Sequence, residues 1–93
     1  MLTHTPIKII RRPEVLVRFG IGNTCLHSRI NSGLIPPPVS LGGRSVGWVD
    51  HELDAVISAL AAGETDNEIK ELIQQLLIRR KEIAKDMRAL YLA

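Results

Sequence analysis

Residues 12–33 read RPEVLVRFGIGNTCLHSRINSG, and the glycines in this stretch decide the fold. Pro13 suits the first helical position, where its missing N–H costs nothing. Glu14 is favoured at the positive end of the helix. Val15, Leu16 and Phe19 lie at helical spacing, and Gly20 ends the run as a C-cap does. That is a helix of barely two turns. Gly22 and Asn23 open a second, on which Leu26 and Ile30, four apart, face the core. Gly33 closes it. Two short helices across a tight glycine turn predict a helix-turn-helix. The outward face of the second helix carries Asn23, Thr24, His27, Ser28 and Asn31, with Arg29 toward its edge.

Downstream, Pro36 to Pro38 extend the backbone and exclude helix. Val39 and Leu41 alternate with Ser40, Gly42-Gly43 is a hairpin signal, and Val46 and Trp48 continue the alternation. The expectation is a small β-hairpin wing with Arg44 and Ser45 at its tip. Asp50 reads as an N-cap for a third helix, whose stripe is Leu53, Val56, Ile57 and Leu60. Gly63 ends it, and Thr65 with Glu68 forms a capping box for a fourth. That helix extends to about Tyr91, roughly 40 Å at 1.5 Å per residue. Upstream, Ile7, Ile9 and Ile10 form a brief strand or anchoring segment, after a polar arm over residues 1–6. The predicted class is mostly α. It comprises a winged helix-turn-helix over residues 7–63 (three short helices plus the wing) and a long C-terminal helix within residues 64–93.

A chain of 93 residues is one small domain or a domain with an extension. Its core is thin, burying roughly 60–65% of the unfolded surface. Cys25 is the one cysteine, so neither an intrachain disulfide nor a cysteine-built zinc cage forms. Neither a membrane span nor a secretory leader is visible, and a lone thiol fits a reducing cytoplasm. Only Phe19, Trp48 and Tyr91 are aromatic, which weakens any reading built on stacked bases.

An enzyme finds little support. His27 and Ser28 are helical neighbours and point about 100° apart. Asp50 and His51 are likewise adjacent. Cys25 and His27, two apart, fall on nearly opposite sides of a helix. None of these has triad or metal-ligand spacing. Cys25 reads as a small semi-buried hydrophobe. Gly42-Gly43 lacks the helix and Lys-Ser/Thr of a phosphate loop. No catalytic residue, metal or cofactor is expected.

Charge is uneven. Residues 1–49 hold Lys8, Arg11, Arg12, Arg18, Arg29 and Arg44 against Glu14 alone, net +5, whereas residues 50–93 are net −3. A basic front suggests an anionic partner. With a helix-turn-helix, that partner is double-stranded DNA. Asn, Thr, Ser and Arg on a second helix read base edges in the major groove, while Arg11 and Arg12 neutralise phosphates. Arg44 reaches the flanking backbone. On the fourth helix Ile69, Leu76, Ile83 and Leu90 recur every seven residues, widened by Leu72, Ile73, Leu77 and Met87. A helix this long outreaches a small body, so a second copy is expected to cover the overhang and give a homodimer or higher homo-oligomer. Arg79, Arg80 and Asp86 interrupt one flank, favouring a short antiparallel pairing over a long zipper.

The segment from about Ile9 to Leu60 resembles the AlpA family of phage and prophage transcriptional regulators. It is similar, more distantly, to phage excisionases and MerR-type DNA-binding domains. The matching residues are Pro13-Glu14-Val15, Gly20, Leu26, Ile30, Gly33, Pro36, Pro38-Val39, Leu41-Gly42, Arg44, Gly47-Trp48 and Glu52-Leu53. The resemblance implies a winged helix-turn-helix that binds duplex DNA and regulates transcription, commonly of integrase or excision genes. The departures fall on the reading helix. The family usually has Ser, Arg, Ser, Thr where this chain has Gly22, Asn23, Thr24, Cys25, and a Tyr-Arg pair where it has His27-Ser28. A common Trp is Val56, and a usually apolar position is Arg29. Losing two arginines removes contacts of about 1–3 kcal/mol each when bidentate. Two alternatives stand beside a dimeric regulator. One is an excisionase-like factor that bends DNA. The other is a protein-interaction module with a degenerate helix-turn-helix.

Overall fold

Trp48 is withdrawn completely from solvent and gathers Ile10, Val15, Leu26, Ile35 and Leu53 into one cluster. These residues come from nearly every element of the amino-terminal two thirds, so the cluster is what the local segments fold around. The computed structural model describes residues 7–92. The arm expected over residues 1–6 lies outside them. The elements run β1 (Ile9–Ile10), α1 (Arg12–Phe19), α2 (Asn23–Asn31), β2 (Val39–Gly42), β3 (Ser45–Val49), α3 (Asp50–Ala61) and α4 (Asp66–Leu92). The result is mostly helical with a three-stranded antiparallel sheet, compatible with a small winged helix-turn-helix.

Each of the first three helices closes in the same way. After α1, the N–H of Ile21 donates to the carbonyl of Leu16, and that of Gly20 to Val17. The same pair of bonds recurs at Gly33-Leu34 and at Gly63-Glu64. This closure satisfies orphan carbonyls and needs a left-handed residue at its corner. Gly20, at φ 66°, supplies it between α1 and α2.

The sheet has strand order β1-β3-β2. Ile9 pairs with Val49 and Ile10 with Trp48, so the brief upstream strand is real and flanks the hairpin. Gly47 makes this possible. A Cβ there would collide with the Ile9 side chain and come within 3.1 Å of the Ile10 carbonyl. On the other edge Val39 pairs with Gly47, Ser40 with Val46 and Gly42 with Ser45, with an irregularity between Ser40 and Gly42.

Four sequence expectations shift in detail. The hairpin turns on Gly43 and Arg44, one residue later than Gly42-Gly43, because the irregularity takes up Leu41 and Gly42 stays in the strand. Pro13 occupies the second helical position, α1 starting at Arg12. Asp50 is the first residue of α3 and Val49 precedes it as the cap without a side-chain bond. The Asp50 carboxylate is directed instead to Arg18, which also pairs with Asp54. Leu60 is 40% exposed, and Ala59 takes its place in the stripe with Leu53 and Val56.

Helix α4 is anchored twice. Ile69 and Ile73 are buried with Val56 and Ala59 of α3, and Phe19 and Leu34 pack on the same cluster. Two turns beyond, Arg80 meets Glu52, a carboxylate only 1% exposed. Arg80 Nε donates to Glu52 Oε2 and Nη2 to Oε1, both at 2.7 Å, and Nη2 also reaches the Pro37 carbonyl at 2.8 Å. Thr65 and Glu68 form the expected capping box, at 2.9 and 3.2 Å.

Removing one member of a buried ion pair strands the other charge, at about 3–5 kcal/mol, whereas an apolar pair of similar volume is often neutral. Arg80→Leu should therefore lower the urea midpoint sharply, and Glu52→Leu/Arg80→Leu should recover most of it. Equal midpoints for Arg80→Leu and wild type would show that the pair carries no stability. A second expectation concerns pH. The Thr65 backbone N–H first, and its hydroxyl second, hold the Glu68 carboxyl below its ordinary value, against a smaller desolvation effect. A lowered carboxylate pKa stabilises the fold above the unfolded-state value, and that contribution fades as pH falls through the folded one. Acid titration of α4 helicity should show this fading, and Glu68→Gln should abolish it.

Candidate nucleic-acid interface

The α1–α2 pair presents α2 edge-out. Leu26 is buried beneath it and Ile30 packs against the main core from a half-buried position. Helical periodicity then obliges the opposite face to look outward. Asn23, Thr24, His27, Ser28 and Asn31 are all exposed. Gly22 is exposed, caps α2 with extended backbone, and gives it no side-chain hydrogen bond. The first N–H groups of α2 are thus left without a side-chain acceptor, the usual condition for anion contact at a helix start. Packing between α3 and α4 lies elsewhere, so the terminal helix does not cover this face.

Arg12 joins the two helices of the motif. Its guanidinium carbon sits 5.5 Å from the centroid of the Trp48 ring, within cation–π range. Its Nη1 comes within 3.4 Å of His27 Nε2. The buried tryptophan therefore sets where this cation stands, beside the outward face of α2. Arg11 is exposed at the cap of α1. Arg29 is half-buried, its Nε 3.4 Å from the Sγ of Cys25 one turn earlier, so part of its length is spent on packing. Cys25 is itself half-buried with a free thiol. Arg44 and Ser45 are exposed at the hairpin turn.

Arg18 behaves differently from the other cations of the basic half. Its pairing with Asp50 and Asp54 of α3 uses the charge inside the chain. This leaves Lys8, Arg11, Arg12, Arg29 and Arg44 as the positive groups of the amino-terminal half outside an ion pair among the described residues. The pattern Arg18–Asp50–Asp54 escaped the sequence because it spans 32 and 36 positions with no periodic signal between them. Glu52 and Arg80 did leave a trace. Ile69, Ile73, Leu76, Arg80, Ile83, Met87 and Leu90 follow at alternating steps of four and three. A cation inside such a stripe demands a buried acid.

The residues expected to associate divide along α4. Ile69 and Ile73 are buried, and Leu72, Leu76 and Leu77 pack partly on the same intrachain cluster. Ile83 and Met87 are half-buried, and Leu90 is 69% exposed. Among the described residues no cluster of three or more His, Cys, Asp or Glu is placed to hold a metal. No helix among them is long and apolar enough to cross a membrane.

Comparison with known proteins agrees with this geometry. Residues 8–59, from the foot of β1 to near the end of α3, match the family model described as the prophage CP4-57 regulatory protein, AlpA. The chain is also 36% identical over 59 residues to the uncharacterized protein ORF88 of Enterobacteria phage P4. That alignment covers 63% of this chain and 67% of the phage protein. No solved structure matches significantly. The matched span contains both helices of the motif, the whole hairpin and the buried Trp48, and the chain belongs to the AlpA family of prophage regulatory proteins.

Proposed function

We propose that the chain is a sequence-specific double-stranded DNA-binding transcriptional regulator of prophage or mobile-element origin, working in the cytoplasm as a dimer. The observation that carries the reading is the outward face of α2. Five hydrogen-bonding side chains stand exposed there, with an uncapped helix start before them and Arg12 held alongside. In this reading α2 enters the major groove. Asn23, Thr24, His27, Ser28 and Asn31 meet base edges or nearby backbone, and Gly22 lets a phosphate approach. Arg11, Arg12 and Arg29 supply charge. Arg44 and Ser45 at the hairpin turn touch the flanking backbone. Residues 7–63 thus form the DNA-binding unit, and the part within 64–93 associates copies through the outer stripe of α4.

The mechanism is occupancy. The family's usual arginines are missing from the reading helix, so one copy binds weakly. A second copy tethered through α4 raises the effective concentration of its half-site. Two-fold symmetry then places half-sites about 10 bp, or a multiple, apart.

Selection of bound fragments from a random DNA pool should return such paired half-sites. On the selected site, affinity should fall linearly on a log–log salt plot, because neutralised phosphates release counterions. A flat salt response would sink the reading. Arg44→Ala should weaken every sequence alike and reduce the salt slope by about 1, whereas Asn23→Ala should change which bases are preferred. Arg18→Gln serves as the contrast: it should lower stability while leaving the affinity of the folded protein unchanged. Circular-permutation mobility separates a plain regulator from a bending factor, since only the latter shifts with the position of the site.

A further inference from the structure

A groove of about 300 Å³ lies between α4, the start of α3 and the sheet. Its apolar lining includes Val39, Val49, Leu76 and Ile83, and Arg79 lines it together with His51 and the Glu52–Arg80 pair. Just past the groove, α4 carries apolar side chains with nothing against them. Leu90 is 69% and Tyr91 76% exposed. One helix therefore bears both an unfilled apolar groove and an uncovered apolar end.

We infer that the groove receives the Arg80–Met87 stretch of α4 from a second copy, laid antiparallel, with Asp86 of each chain paired to Arg79 of the other. The inference rests on the self-association proposed above and specifies its surface. Three observations select this arrangement. First, the stripe Leu76, Arg80, Ile83, Met87 runs unbroken from the groove into the overhang. An antiparallel copy in the same stripe sets Met87 against Leu76 and Ile83 against Arg80, reciprocally.

Second, that register has a consequence for charge. At 1.5 Å per residue, Asp86 of one copy falls within about 3 Å along the axis of Arg79 of the other. Both flank the stripe on the same side. Neither is in an ion pair within its own chain among the described residues. A parallel, in-register pair would instead leave both acids unmet and stack the two Arg80 positions.

Third, Arg80 would be a fault at the centre of such a seam if its charge were free. It is not: Glu52 takes its guanidinium through two bonds of 2.7 Å. The internal ion pair neutralises the middle of the surface before a partner arrives. This explains how a stripe with an arginine at its centre tolerates a second helix.

The test is a charge reversal followed by sedimentation equilibrium on the full chain. Arg79→Glu and Asp86→Arg each turn two symmetry-related attractions into repulsions. Each should raise the dimer dissociation constant at least tenfold. The double variant Arg79→Glu/Asp86→Arg should return to within about threefold of wild type, and the circular dichroism of each single variant should match that of wild type. If wild type is dimeric and the single reversals associate as tightly as it does, or the double is no tighter than the singles, this surface is wrong while dimerisation stands. A wild-type chain that stays monomeric at millimolar concentration overturns the surface and the dimer together, leaving the α2 face to be judged by its DNA binding alone.

Discussion

A carboxylate with 1% of its surface exposed imposes a strict condition on the chain around it. Glu52 sits at the start of α3, beneath the sheet, where an unmatched negative charge is expensive. Arg80 meets it from 28 positions away and donates the second N–H of Nη2 to the Pro37 carbonyl. One guanidinium thus fixes α4 to α3 and to the strand-leading proline segment at the same time. Its planar fork suits the task, because two carboxylate oxygens and a carbonyl lie within reach of a rigid donor set. The direction of α4 follows from this contact together with the Ile69 and Ile73 packing two to three turns earlier. The open face of α2 follows in turn, since α4 is committed to the α3 side.

The amino-terminal body was legible in the sequence because its signals are local. Glycine after eight helical residues, a proline triplet and alternating residues around Gly43 each act within a few positions. The four helices and the hairpin were read from them. Boundaries moved where side-chain chemistry competed with pattern. Asp50 has the composition of a cap, yet its carboxylate pairs with Arg18 and the helix starts on it. The irregularity between Ser40 and Gly42 moved the turn by one residue, which no single residue type announces. Leu60 satisfied helical spacing as well as Ala59 did. Close approach of α4 favoured the smaller side chain beneath it, and the larger one turned to solvent.

The outward face of α2 was legible for the same local reason. The roles of the arginines were not. Six cations in the basic half look alike in composition, but Arg18 is consumed by two aspartates, Arg12 rests on Trp48 beside His27, and Arg29 folds back toward Cys25. Only tertiary structure sorts structural cations from available ones. The field presented by α2 and its surroundings is consequently weaker than a count of Lys and Arg suggests.

That weakening ties the two halves of the molecule together. In the proposed role, an α2 face of mostly uncharged side chains would discriminate through hydrogen-bond geometry more than through attraction, so its placement would matter more than its charge. Placement of a second α2 face in the proposed dimer would depend on how rigidly α4 is joined to the winged body. A flexible joint spreads the partner over many positions and dilutes effective concentration. Here the joint is a capping box at Thr65 and Glu68, a buried apolar contact at Ile69 and Ile73, and an ion pair at Arg80 that also grips the root of the hairpin through Pro37. Three contacts at successive heights fix both the tilt and the rotation of α4. In the proposed pair of copies joined through its outer end, the same contacts would fix the separation of the two α2 faces, and the Glu52–Arg80 pair would act on half-site spacing without touching DNA.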